Sequence, residues 1–318
     1  MRLFKILAST IAMSAIMIFS AFLWHSRMTL PASENAMQNN AHHDTHSLRV
    51  ITSFYTLGEF ARQVGGDKAL VSSIVPGGVE PHEYEPTSQD IASLYSADVV
   101  LLNGGGMDAW GESLRQDLEA HGVHVLVLAE ELKKNSGEKT AITNDPHFWL
   151  DPVIAQEEVR IIRSLFSELD AQNAQLYALQ SQSFISQLQA LDESYLKQLS
   201  LCKHHTIISS HDVFRYLSAR YGFHAVSIAG LSPDTEPSTQ QLVNLVKYAR
   251  DNDVKYIFFE TLVSPRLADT LAREVHAETL VFNPIEGLTD NEIAAGSTYI
   301  TIMQENLNQL RRALQCYE

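Results

Sequence analysis

The side chains in this sequence best suited to chemistry are imidazoles and carboxylates set in loops. His82 lies in Val75-Pro76-Gly77-Gly78-Val79-Glu80-Pro81-His82, His147 in Asn144-Asp145-Pro146-His147, His211 in Ser209-Ser210-His211-Asp212, and Glu286 in Asn283-Pro284-Ile285-Glu286-Gly287. Three imidazoles and one carboxylate supply four nitrogen and oxygen donors, which suits tetrahedral Zn²⁺ and is not a soft thiolate site. Any one of the 13 histidines reads more readily as a solvated loop residue than as a ligand, so only their joint placement distinguishes these. Glu80 is the reserve candidate for the fourth donor. Asp212, Glu80, Glu83 and Glu85 are candidates to orient imidazole N–H groups or raise the local negative potential, with loop solubility as the alternative. Asp151 reads equally as a helix cap, and Glu260 as either a strand-end cap or a support for a ligand.

The elements that must position these residues are legible from Leu48 onward, where short β-branched runs alternate with amphipathic stretches. That alternation signals α/β architecture with parallel strands. Strands are expected at 49–53, 71–75, 99–103 and 123–128, with helices at 56–64, 88–96 and 110–120. The same order returns later, with strands at 205–210, 225–229, 255–260 and 279–283 and helices at 213–221, 238–251 and 265–274. Thr87-Ser88-Gln89 and Ser238-Thr239-Gln240 open corresponding helices with capping residues. Two similar four-stranded parallel-sheet lobes, 48–170 and 201–318, follow from this repetition.

Ligands of open parallel sheets collect at the carboxyl ends of the strands. On that rule His82, His147, His211 and Glu286 all face one cleft between the lobes. His204 and His205 begin a strand, and His121, His124, His224 and His276 lie in helix-to-strand connections, so these belong to the opposite end. Helices are expected from Asp151 to about Asp170 and over 171–200; the second contains no Gly or Pro. A single long helix there is a stiff connection, unlike a Gly/Pro-rich linker that lets domains swing.

The chain opens with Met1-Arg2-Leu3-Phe4-Lys5 and an apolar run from Ile6 to about Trp24, which marks 1–33 as an export signal or an uncleaved anchor. No cysteine follows that run, so lipid attachment there is not expected. Residues 34–47 read as a polar tether carrying His42, His43 and His46. With Lys+Arg 23 against Asp+Glu 38 the formal charge is −15, which disfavours nucleic acid as a partner and favours a cationic ligand. Cys202 and Cys316 make at most one bridge, with two buried thiols as the alternative.

Four runs, PGGVEPHEYEPTSQD (76–90), DPHFWLDP (145–152), SSHDVF (209–214) and NPIEGLT (283–289), resemble the zinc and manganese solute-binding proteins of ABC importers, the periplasmic zinc-uptake type. The resemblance covers nearly all of the chain from Leu48 to Leu314. It implies two α/β lobes joined by one rigid helix, a divalent metal held between them, and docking of the loaded protein, a monomer, on an ABC permease in the cytoplasmic membrane. The metal-binding histidines of the first three motifs correspond to His82, His147 and His211. Asn283 stands where many members carry an aspartate, and the NPIE run points instead to Glu286. A third imidazole at 211, where manganese-type members tend to have a carboxylate, favours Zn(II) over Mn(II). Residues 130–144 lack the histidines that zinc members often carry before the second ligand.

Two other readings compete. Gly104-Gly105-Gly106-Met107-Asp108-Ala109 fits a dinucleotide fingerprint, but it opens the third βα unit, and a Gly-rich turn for close packing in the cleft is the simpler reading. A zinc hydrolase needs an open coordination position and a general base. No HExxH or GxSxG run occurs, so no enzyme is expected.

Overall fold

The computed structural model describes residues 47–135, 143–233 and 235–317. The expected export segment and nearly all of the tether lie outside these residues. Among the described residues eight strands form two sheets. In the first, β1 (Leu48–Thr52), β2 (Ala69–Ser73), β3 (Val99–Leu102) and β4 (His124–Val127) run parallel in the order β2-β1-β3-β4. In the second, β5 (Thr206–Ser209), β6 (His224–Ser227), β7 (Tyr256–Phe259) and β8 (Glu278–Val281) repeat that order as β6-β5-β7-β8. The central strands pair in equivalent registers: Val50 opposes Val71 and Val99, and Ile208 opposes Val226 and Ile257. The two similar parallel-sheet lobes expected from the sequence are therefore present, with strand ends shifted by a residue or two.

The apolar runs of the central strands are dictated by helices on both faces of each sheet. Val99, Val100, Leu101 and Leu102 are all buried, as a parallel strand covered on both sides requires. Helices α1 (Tyr55–Gly65), α2 (Ser88–Leu94) and α3 (Ala109–Ala120) alternate with the first strands, and α4 (Leu128–Asn135) follows β4. The sequence reading assigned no element to the last of these. Leu128, Ala129 and Leu132 fall on one helical face and are buried. Residues 136–142 lie outside the described part.

Two helices lie between the first sheet and the second. Helix α5 (Pro152–Leu169) starts behind the N-cap Asp151, whose side chain accepts from the Val153 N–H, with proline at its first position. Helix α6 (Ala174–Gln198) runs 25 residues, about 37 Å at 1.5 Å per residue. Its first half meets the N-terminal lobe through Phe184 against Phe60 at 5.7 Å. Its second half meets the C-terminal lobe through Tyr195 against Tyr221 at 4.9 Å and Tyr195 Oη donating to the Met303 carbonyl at 2.6 Å. One continuous apolar core thus runs through both lobes.

In the C-terminal lobe α7 (Arg215–Tyr221), α8 (Thr239–Asp251), α9 (Arg266–Val275), α10 (Asp290–Ala295) and α11 (Tyr299–Leu314) complete the chain. Thr87 and Ser238 both form reciprocal capping boxes, at α2 and α8. Cys202 and Cys316 are disulfide-bonded, which resolves the two sequence alternatives in favour of the bridge. Backbone bonds from the Lys203 and His204 N–H groups to the Gln315 and Leu314 carbonyls tie the end of α11 to the start of β5. Among the described residues no helix is long and apolar enough to cross a membrane.

Candidate metal centre

Three of the predicted donors lie in loops that follow a strand directly, whereas His147 follows β4 only after helix α4. His82 lies in the loop between β2 and α2, and His211 just beyond β5. His147 opens a 3₁₀ turn (His147–Leu150), and Glu286 follows β8 in the loop before α10. The structure brings all four together: one donor atom from each lies within 4.8 Å of every other. His147 and His211 are fully buried, and Glu286 is 1% exposed. The six histidines assigned to the opposite strand ends are not in this cluster.

The donor separations have the size a small tetrahedral ion requires. His147 Nε2 is 3.2 Å from His82 Nε2, 3.3 Å from His211 Nε2 and 3.1 Å from Glu286 Oε1. Glu286 Oε1 is 3.4 Å from His82 Nε2 and 3.6 Å from His211 Nε2. Ligands about 2.0–2.1 Å from a tetrahedral zinc stand about 3.3 Å apart, so these edges match the donor polyhedron of such an ion.

Carboxylates behind two of the imidazoles set which nitrogen faces inward. His147 Nδ1 donates to Asp145 Oδ1 at 2.9 Å, and the same oxygen accepts the His147 backbone N–H at 2.9 Å. Acceptance by a carboxylate places the proton on Nδ1 and leaves the Nε2 lone pair pointing into the cluster. His211 Nδ1 lies 2.5 Å from Glu260 Oε2, while Glu260 Oε1 accepts from Ser210 Oγ and, at 3.3 Å, from the His211 N–H. Glu260, 2% exposed, is a support for His211 and not only a strand-end cap. Asp145 was visible in sequence only as a neighbour of His147.

The remaining acidic candidates do other things. Glu80 Oε1 accepts the His82 N–H at 3.0 Å, which shapes the loop and leaves Glu80 outside the four-donor cluster. Burial and the nearby Glu286 push its carboxyl up to about 9. Glu83 and Glu85 are exposed, so they do not orient buried rings, and Glu83 accepts from Ser232. Asp212 is half-buried, its carboxyl raised by burial and by Asp145.

Without a cation this is a crowded set of charges. Burial opposes ionisation of Glu286, yet His147, His211 and His82 around it hold its carboxyl well below the usual range. Burial likewise opposes protonation of His211, but Glu260 and Glu286 override it and lift the imidazole well above its ordinary value. His147 is raised in the same way, burial being outweighed by Asp145 and Glu286. A dication supplies the positive charge that protonated imidazoles otherwise provide, since buried carboxylates are costly unless paired.

Neighbouring loops hold His147 from both lobes. Asn103 Nδ2 donates to the Pro146 carbonyl at 3.0 Å. Gly105, at φ +68°, lets the chain approach so closely that a Cβ there would stand 3.2 Å from Pro146 Cα. From the other lobe, Tyr216 Oη donates to the Asp145 carbonyl at 2.9 Å and accepts the Thr143 N–H at 3.1 Å. The Gly104–Gly106 turn is thus a packing turn against the His147 loop. The Asn103 and Gly104 N–H groups are held by Asp108 at 2.6 and 2.9 Å, where a dinucleotide would need them for phosphate. Sequence reasoning missed Asn103 and Tyr216, and only the glycine run hinted at this contact.

Two parallel-sheet lobes on a continuous helix, with four donors converging from the facing strand ends, define a cleft-type metal-binding protein. Residues 50–313 match the family described as ZnuA: Zinc-uptake complex component A periplasmic. The chain is 38% identical over 279 residues to the High-affinity zinc uptake system protein ZnuA of Bacillus subtilis, covering 84% of this chain and 88% of that protein. It is 36% identical over 277 residues to the Zinc-binding lipoprotein AdcA of Streptococcus pneumoniae, 83% of this chain but 55% of AdcA, so it spans about half the length of that relative. The crystal structure of the Zn(II)-bound ZnuA-like domain of Streptococcus pneumoniae AdcA matches with a TM-score of 0.74 at 35% identity, over 84% of this chain and 99% of that one. The chain belongs to the ZnuA family.

Proposed function

We propose that this protein captures Zn(II) outside the cytoplasmic membrane and delivers it to the permease of an ABC metal importer, with His82, His147, His211 and Glu286 as the zinc ligands. The observation that carries the reading is the set of donor separations, 3.1–3.6 Å among five pairs, which fits a tetrahedral ion held by nitrogen and oxygen. Three imidazoles favour zinc over Mn²⁺, which suits harder, oxygen-rich and more highly coordinated sites. Four protein donors leave no open position for a reacting water, so the metal is cargo and the protein is not an enzyme.

The wider reading follows from the same account. Residues 1–33 act as an export signal or anchor and 34–47 as a tether, placing the lobes 48–170 and 201–318 and their linker helix in the periplasm or on the outer face of the membrane. The protein works as a monomer and binds no nucleic acid, in keeping with its charge of −15. Competitive titration with zinc and manganese tests the assignment: the expected outcome is one Zn²⁺ per chain that Mn²⁺ does not displace. Tighter binding of Mn²⁺ than of Zn²⁺ sinks it.

A further inference from the structure

Glu286 belongs by sequence to the C-terminal lobe, but the run that carries it is held largely from the other one. At its base, Asn283 is tied to its own lobe: its N–H donates to Asn306 Oδ1 at 2.9 Å, its carbonyl accepts from Asn306 Nδ2 at 2.7 Å, and its Nδ2 donates to Glu292 Oε1 at 2.7 Å. Beyond that base the carbonyls of Pro284, Ile285 and Leu288 accept from three donors of the N-terminal lobe. These are Trp149 Nε1 at 2.7 Å, Thr56 Oγ1, and the Gly78 N–H at 2.8 Å. Trp149 lies in the turn that His147 opens, Gly78 in the loop of His82, and Thr56 in the first turn of α1.

The backbone between these bonds is strained. Ile285 has φ +64°, a conformation in which a β-branched residue crowds its own carbonyl. Such a residue persists only where its surroundings over-determine it. Here the Ile285 N–H donates to Asn283 Oδ1 at 2.7 Å and the side chain is fully buried, while the opposite lobe satisfies the carbonyls on either side.

We infer that Thr56, Trp149 and Gly78 are positioning residues for Glu286, so that the fourth zinc donor is presented only while the two lobes are in contact. The inference rests on the reading of Glu286 as a zinc ligand. Separation of the lobes removes the partners of three carbonyls and frees Ile285 to return to negative φ, which turns the carboxylate off the metal. His82 and His147 then stay with one lobe and His211 with the other. Opening of the cleft and loss of the carboxylate are one event.

Zinc release from the purified protein into excess chelator, followed by stopped flow, tests this with Thr56→Val and Trp149→Phe, each alone and combined with Glu286→Ala. The expected result is that each single variant releases zinc about tenfold faster than wild type. Neither changes the rate further once Glu286→Ala is present, because the donor they position is gone. Wild-type release by Thr56→Val, or equal acceleration with and without Glu286, overturns the inference, whereas wild-type release by Glu286→Ala overturns the reading of Glu286 as a ligand. A wild-type protein that holds no zinc overturns the site reading instead. Thr56→Val preserves side-chain shape and keeps the test decisive if Trp149→Phe does not fold.

Discussion

His147 and His211 each carry a carboxylate on the nitrogen that faces away from the cluster, and this shapes how the site answers both mutation and pH. Asp145→Asn and Glu260→Gln leave the four donors in place but remove the charge that fixes ring orientation and raises ligand basicity. Zinc affinity is expected to fall about 10–100-fold in each, measured by competition with a chelator of known affinity. The pH dependence follows from the raised imidazoles. In the metal-free protein these rings hold protons at higher pH than the ordinary value of about 6.5, and ligation requires them neutral. Affinity therefore rises with pH until both are deprotonated, and its decline on acidification sets in above about 6.5. Calorimetry in buffers of differing ionisation heat counts the protons zinc displaces; no release at pH 7 contradicts the account. The sign for stability is opposite in the metal-free state. Stabilisation from a raised imidazole is complete below about 6.5 and is lost as pH climbs through the folded value.

At the scale of elements, placement of donors at strand ends was legible because parallel α/β units repeat the same order twice. The rule sorted nine of the thirteen histidines without any knowledge of contacts, and the three it selected lie together with Glu286. The partners that hold those loops were not legible, because they are non-local. Tyr216 reaches Asp145 across 71 residues, and Trp149 reaches Pro284 across 135. Nothing in local pattern or spacing encodes such a pair. Helix α4 was missed because its single apolar face is short and abuts a polar stretch. The Gly104–Gly106 turn was read correctly as a close-packing turn, and its partner is the loop that carries His147. Gly105→Ala puts a Cβ against Pro146 at φ +68°. It is expected to cost about 1–3 kcal/mol of stability and to weaken zinc binding by displacing the His147 loop, read by thermal melts with and without metal. An alanine variant with wild-type affinity and melting temperature removes that role from the turn.

For the molecule as a whole, α6 and the core it completes join the two lobes. Arg220 locks α7 to that helix through paired bonds to Asp192, both at 2.7 Å. The Cys202–Cys316 bridge closes a 114-residue separation, with Cys202 before the start of β5 and His211 beyond its end. Its reduction, or Cys202→Ser with Cys316→Ser, is expected to lower unfolding stability by about 2–5 kcal/mol while one zinc still binds per chain. Loss of zinc stoichiometry on reduction shows instead that the bridge supports the cleft. The charge of −15 and the disulfide both suit an exported protein that collects a cation.

The central claim is that zinc is held by three imidazoles and one carboxylate converging from both lobes. Zinc content and competitive affinity of wild type beside His211→Ala test it most directly, since His211 is the imidazole that the C-terminal lobe contributes. The account predicts one tightly bound zinc per wild-type chain and a loss greater than about a hundredfold in the variant, beyond the range for outer partners of a ligand. Zinc retained unchanged by His211→Ala, or no stoichiometric zinc in the wild type, contradicts it.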